Sequence, residues 1–310
     1  MGKWGANLGL LIVALTWGTV IPTVNYLLPV WDPFFLGSIR YVAGAPLLII
    51  LVWWQEGFRG PLQRFSWWRP FLLGTIGLGL FAPLYTVGVA HANPIVAAVL
   101  SAAGPVIAGA VAWLSFREPM DRWVLPSIIL AVSGCILATV DFAQLRSAHS
   151  IFVIQGGEIL ILAAAACWSW YSIAAQRWLT GWSQLRISAS TTIGGAPMLV
   201  AVYFMAGQAG WSQVPPAPPP DGWHLILLCW LTFASIVLCL ILWNHGVRHL
   251  GVVVATMYLN LVPIVSLVIL AVMGVEPSLV QMLGAALVIC GILYSEFLQY
   301  RYRRRLAVPV

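Results

Sequence analysis

Residues 33–54 read PFFLGSIRYVAGAPLLIILVWW. This stretch decides the fold, because about 20 mostly apolar residues are what a helix needs to cross the hydrocarbon of a bilayer. Asp32 and Pro33 open it as a helix start, since an acid and an N1 proline both suit the positive end of a helix. Trp53 and Trp54 close it at the depth of an interfacial aromatic belt. Arg40 is its one charge, on the order of 10 Å below the outer end.

Comparable runs fall near 7–28, 70–91, 94–116, 122–140, 155–178, 184–206, 223–246, 250–273 and 277–299. They are continuous, so the alternating ten-residue strands of a barrel are excluded. Of the 310 residues, 61% are hydrophobic and 8% charged, against roughly 25% charged in a soluble domain. Mean hydropathy is +0.93. The expected fold is an all-α membrane protein of ten transmembrane helices. Lys3 ahead of the first run resembles a signal peptide, but no small-residue cleavage site follows, so that run reads as a retained helix.

The net charge of +6 is a topology code. Lys3, Arg59, Arg64, Arg69, Arg117, Arg122, Arg177, Arg186, Arg248, Arg301, Arg303, Arg304 and Arg305 share one side, with Arg146 alone on the other. The bias places both termini in the cytoplasm and leaves no case for a nucleic-acid partner. The five cysteines lie in apolar runs without a C-x-x-C, as core residues.

The chain repeats itself. Trp17 and Trp168 are 151 residues apart, as are Gly44-Ala45-Pro46-Leu47 and Gly195-Ala196-Pro197-Met198. Later pairs shift to 158: His91 with His249, Pro105 with Pro263, Glu118-Pro119 with Glu276-Pro277. The seven extra residues fit the stiff, Pro-rich loop Gly207–Asp221. The repeats are 1–146 and 147–310, forming one membrane domain. Five helices each is odd, so the second repeat enters the membrane inverted, as in transporters that bind substrate near the midplane.

These features together, with Leu15-Thr16-Trp17-Gly18 in the first helix and the Glu-Pro pairs opening helices five and ten, resemble the EamA type of the drug/metabolite transporter superfamily. The resemblance implies export of amino acids or other small metabolites across a bacterial-type cytoplasmic (inner) membrane. The Trp-rich, charge-poor interior is similar to the YddG-like amino-acid exporters within it.

Trp17 and Trp168 lie too deep for interfacial anchoring. They read either as helix packing or as opposed walls of a substrate site. Tyr171 shares a face with Trp168, Tyr85 and Trp243 match at offset 158, and Tyr258 and Asn260 precede a proline kink. Trp4, Trp31, Trp53, Trp54, Trp67, Trp68, Trp123, Trp178, Trp182, Trp211 and Trp223 fall at span ends as a belt.

Pro105 and Pro263 sit near the centres of helices four and nine. A proline there removes a donor and frees a carbonyl that can line a cavity. Both are candidate hinges, with Pro22 and Pro83 adding bends, Ser101 one turn before Pro105, and His91 a candidate gate at the end of helix three. Arg40 reads two ways: held structurally, by pairing with Glu158 or by snorkelling to the interface, or free for a substrate carboxylate. His245 and His249 have a metal-ligand spacing but no carboxylate or thiol beside them, so no metal or other cofactor is expected.

No Walker A motif is present, and no acid lies near a midplane, so passive exchange or facilitated flux by alternating access is the expected mechanism. An aromatic pocket with Arg40 suits a zwitterionic amino acid, apolar or aromatic side chains favoured. The alternatives are a cationic aromatic drug and a membrane-embedded enzyme. The expected partners are a small-molecule substrate and the bilayer, the chain acting as a monomer or homodimer.

Overall fold

The computed structural model describes residues 3–57, 67–101, 103–117, 155–250, 261–275 and 278–287, with isolated positions besides. Among the described residues every regular element is helical. Six helices among the described residues are long and apolar enough to cross a membrane. These are α1 (Trp4–Leu27), α2 (Pro33–Glu56), α3 (Trp68–Ala90), α6 (Gly157–Trp178), α7 (Gln184–Gln208) and α8 (Gly222–Leu250). Shorter pieces are α4 (Pro94–Ser101), α5 (Gly104–Phe116), α9 (Leu261–Val272) and α10 (Leu279–Gly291). Of the expected helix at 122–140 only isolated positions are described, and these are helical; Glu118-Pro119, Glu276-Pro277 and the arginine tail lie outside the described residues.

Helix starts follow side-chain capping. The Asp32 carboxylate accepts from Phe34 N and Phe35 N at 3.0 and 2.9 Å. Ser183 accepts from Arg186 N, and Asn93 from Ile95 N. These are the amides that a helix leaves unbonded at its start. Asp221 caps α8 through His224 N, and the His224 ring donates to the same oxygen at 2.7 Å. That ring bond holds the Asp221 carboxyl below its ordinary range. The cap is therefore fully present at neutral pH and is lost only as pH falls through the lowered value.

The packing exchanges the halves. α2 packs along α7, α1 along α8 and α3 along α6, while α1 meets α9 as α6 meets α4. Detail repeats as well. Both α2 and α7 carry an internal proline, Pro46 and Pro197. Both α3 and α8 contain a π-helical segment, Thr75–Leu80 and Trp230–Leu238. A Cβ at Gly88 would meet Ile161, and one at Gly246 would meet Leu10, the residue 151 before Ile161. The likeness has an unequal consequence. Gly88 also faces the rigid Gly157 carbonyl at 2.9 Å, whereas the three atoms nearest a Cβ at Gly246 all belong to the Leu10 side chain. Gly88→Ala is expected to lower the thermal unfolding temperature more than Gly246→Ala, since a side chain yields where backbone does not.

Helix four is corrected. Its apolar run is unbroken, yet the helix stops at Ser101 and restarts at Gly104, with Pro105 in the first turn of α5. Proline suits that turn better than a helix interior. Pro263 likewise sits in the opening turn of α9. Pro105 thus marks a break between helical pieces and not a kink within one helix.

Trp31 is also corrected: it is 3% exposed and belongs to the apolar cluster with Leu27, Leu36, Val89 and Val96. The loop Gly207–Asp221 folds back over it, and Trp31 Nε1 donates to Ala217 O at 2.8 Å. Gln213 N donates to Asp32 at 3.3 Å, and Tyr203 OH to Gln213 O. The loop is a strap across the α1–α2 turn and not a free spacer. At the other end of the bundle Glu56 binds Arg186 at 2.9 Å and Ser183. Arg69 and Arg248 donate to the carbonyls of Trp178 and Trp182.

Candidate functional site

Between the halves lies a cavity of about 150 Å³. Engineered apolar cavities of that size accept a benzene-sized guest. Its aromatic walls are Trp17, Tyr41, Phe81, Tyr85 and Trp168, and Arg40, Ser169 and Ser235 supply polarity. A mostly apolar lining with a few polar groups is the usual make-up of a small-molecule site.

Two backbone irregularities build it. Pro22 has no N–H to offer Gly18 O one turn back. Gly18 O instead accepts from Ser266 Oγ at 2.6 Å, which ties the bend in α1 to α9. In the π segment of α8, Cys239 N bonds to Ala234 O and so bypasses Ser235 O, its α-helical partner. Ser235 O accepts Trp17 Nε1 at 2.7 Å, which fixes the indole at the wall.

Trp17 and Trp168 meet edge to face with centroids 5.3 Å apart. Phe81 lies 5.3 Å from Trp168, and Tyr85 stacks on Phe81 at 5.5 Å. Trp243, 1% exposed, stands behind both indoles at 5.5 and 6.1 Å. It supports the wall and does not line it. Tyr171 is fully buried behind Trp168, its hydroxyl on Thr191 Oγ1 at 3.2 Å. Tyr258 donates to Asn7 Oδ1, and its neighbour Leu259 lines the cavity instead. Asn260 and the Ser101 side chain lie outside the described residues. His91 is exposed, its ring bonded to Val87 O in its own helix, away from the cavity lining.

Arg40 is 4% exposed and lines the cavity. Its Nε has no hydrogen-bond partner among the described residues. The Tyr41 ring is 5.9 Å from its Cζ. Glu158, the alternative partner, is engaged elsewhere: its carboxylate accepts from Gln155 N and Gly156 N at 3.2 and 3.0 Å. Those amides precede α6, so Glu158 serves its own helix start. Among the described residues no Asp or Glu lines the cavity, and no group of three metal-ligating side chains occurs.

The sequence reading omitted Tyr41, Phe81, Ser169 and Ser235. Phe81 was detectable as the residue one turn before Tyr85; Ser235 joins the site through its backbone, which leaves no side-chain signature. Trp168→Ala removes an indole that touches Trp17, Phe81, Tyr171 and Trp243. It is expected to cost about 3–5 kcal/mol of stability, measured by unfolding, and to admit bulkier substrates.

A model of the EamA-like transporter family matches residues 4–140 and again 155–296, so the family unit occurs twice. The chain is 24% identical over 280 residues to an uncharacterized transporter, YyaM, of Bacillus subtilis, covering 90% of this chain and 89% of that one. YrdR, another uncharacterized transporter of that organism, is 23% identical over 93% of this chain and 90% of its own. The inner membrane protein YtfF of Escherichia coli is 22% identical over 92% of each. A solved crystal structure, 18% identical, superposes with a TM-score of 0.66 over 99% of this chain and 100% of its own, which shows a shared fold.

Proposed function

The chain belongs to the EamA-like transporter family, and on that premise we propose that it exports small carboxylate-bearing metabolites, chiefly amino acids with apolar or aromatic side chains. The observation that carries this is Arg40, buried at the cavity wall with an Nε that has no partner among the described residues. Its guanidinium fits a carboxylate by paired hydrogen bonds. Trp17, Phe81 and Trp168 offer an apolar side chain a wall and an ammonium group a ring face. The same arginine disfavours a cationic aromatic drug, which would bring like charge into a low-dielectric site without an acid to offset it.

The topology that goes with this reading is ten helices, five per inverted repeat, with both termini in the cytoplasm of a bacterial-type inner membrane. Alternating access then amounts to rocking of the halves about the cavity. The exchanged packing of α1, α2, α3 and α4 with α8, α7, α6 and α9 supports it. Transport is passive exchange, because the acids among the described residues cap or close helix ends and none faces the cavity. The test is counterflow in proteoliposomes against an amino-acid panel. Leucine and phenylalanine are expected to exchange and compete without an imposed pH gradient. Uptake of aromatic amines that no amino acid inhibits, or flux that needs the gradient, would refute the reading.

A further inference from the structure

Arg40 raises a question that a substrate answers only while it is bound. A guanidinium stays charged at any physiological pH, so burial cannot neutralise it by deprotonation. An uncompensated buried charge is strongly unfavourable. Among the described residues the lining holds no carboxylate, and Glu158 is bound to amides at the start of α6. Among the described residues no acid offsets it; an anion from solution would, and the cavity beside Arg40 has room for one.

We infer that the substrate-free cavity binds a small inorganic monovalent anion, chloride, against Arg40, and that a substrate carboxylate displaces it. The phenol O–H groups of Tyr41 and Tyr85, which line the same cavity, are further donors for such an ion. The apolar remainder of the lining favours a weakly hydrated single charge over a strongly hydrated divalent one. The competition with substrate rests on the carboxylate reading above, while the chloride site rests on the arginine alone.

The experiment uses the purified full chain in detergent. Its thermal unfolding is followed through a sodium chloride series, and phenylalanine binding is measured with and without chloride. The wild-type protein is expected to show saturable stabilisation that Arg40→Gln lacks in the same salt series and Arg40→Lys partly keeps. With chloride at roughly ten times its own dissociation constant, the apparent Kd of phenylalanine is expected to rise about tenfold, as mass action requires of a shared site. An equal chloride response in Arg40→Gln would place the ion elsewhere and overturn the inference. So would phenylalanine binding with no chloride response in the wild type, which would leave the substrate reading intact. A chloride site lost in Arg40→Gln but indifferent to phenylalanine would keep the anion site and remove the substrate reading. If Arg40→Gln does not fold, the Arg40→Lys series and the wild-type competition decide.

Discussion

Arg40→Gln is expected to weaken binding of a carboxylate substrate by one to two orders of magnitude while leaving the substrate-free protein as stable as before, or more so, in chloride-free buffer. A hydrogen bond to a charged group contributes about 1.5–3 kcal/mol, and about 1.4 kcal/mol is tenfold in affinity. The stability half of the prediction separates the roles. A structural Arg40–Glu158 pair would make the substitution cost about 3–5 kcal/mol by stranding a buried carboxylate. With Glu158 bonded to Gln155 N and Gly156 N, glutamine instead removes a poorly compensated charge. Arg40→Lys keeps the charge and loses the two-pronged geometry, so its affinity is expected to fall between the two. The checks are substrate titration of purified protein and a denaturation curve for each variant. A large destabilisation with unaltered affinity would return Arg40 to the scaffold.

The parts of this molecule that the sequence disclosed are those written locally or periodically. The doubling was legible from Trp17 with Trp168 and from Gly44-Ala45-Pro46 with Gly195-Ala196-Pro197, because equivalent packing positions select like residues. Depth was legible too, and it separated Trp17 and Trp168 from the exposed Trp53, Trp54, Trp67 and Trp68. Rotation about a helix was less so. Tyr171 follows Trp168 by three residues, close enough to pack on it and turned far enough to miss the cavity. Trp243 has the right depth but stands behind the indoles of Trp17 and Trp168. Contacts between distant segments left no trace: Trp31 looks interfacial until Ala217, 186 residues on, accepts its indole N–H. The break between Ser101 and Gly104 was hidden for another reason, since its residues are as apolar as the helix around them.

Gly74→Ala is expected to have the largest effect on folding of any single methyl addition considered. A Cβ at Gly74 would lie 2.1 Å from Thr191 O, 2.5 Å from Gly195 N and 2.8 Å from Gly194 C, all backbone of α7. The contact is reciprocal: a Cβ at Gly195 would meet Gly74 O at 2.6 Å, and one at Gly194 would meet Pro70 O at 2.7 Å. Three glycines thus let α3 and α7 touch main chain to main chain, the close approach that small residues permit between helices in lipid. No side chain stands between them to change rotamer, so a methyl group fits only if the helices separate by about 1 Å or more, since carbon and oxygen in ordinary contact stay more than 3 Å apart. Overpacking of a tight core costs about 1–3 kcal/mol when side chains relax, and more when they cannot. Separation would also disturb α2, which packs on α7 and carries Arg40, so substrate affinity should fall with stability. Gly109→Ala is the control, because among the described residues a Cβ there meets nothing within 4 Å. It should be neutral, or stabilising by about 0.5–1 kcal/mol through helix propensity. Yield of monodisperse protein and the thermal unfolding midpoint report both variants. Equal midpoints for Gly74→Ala and Gly109→Ala would mean that α3 and α7 do not make this contact.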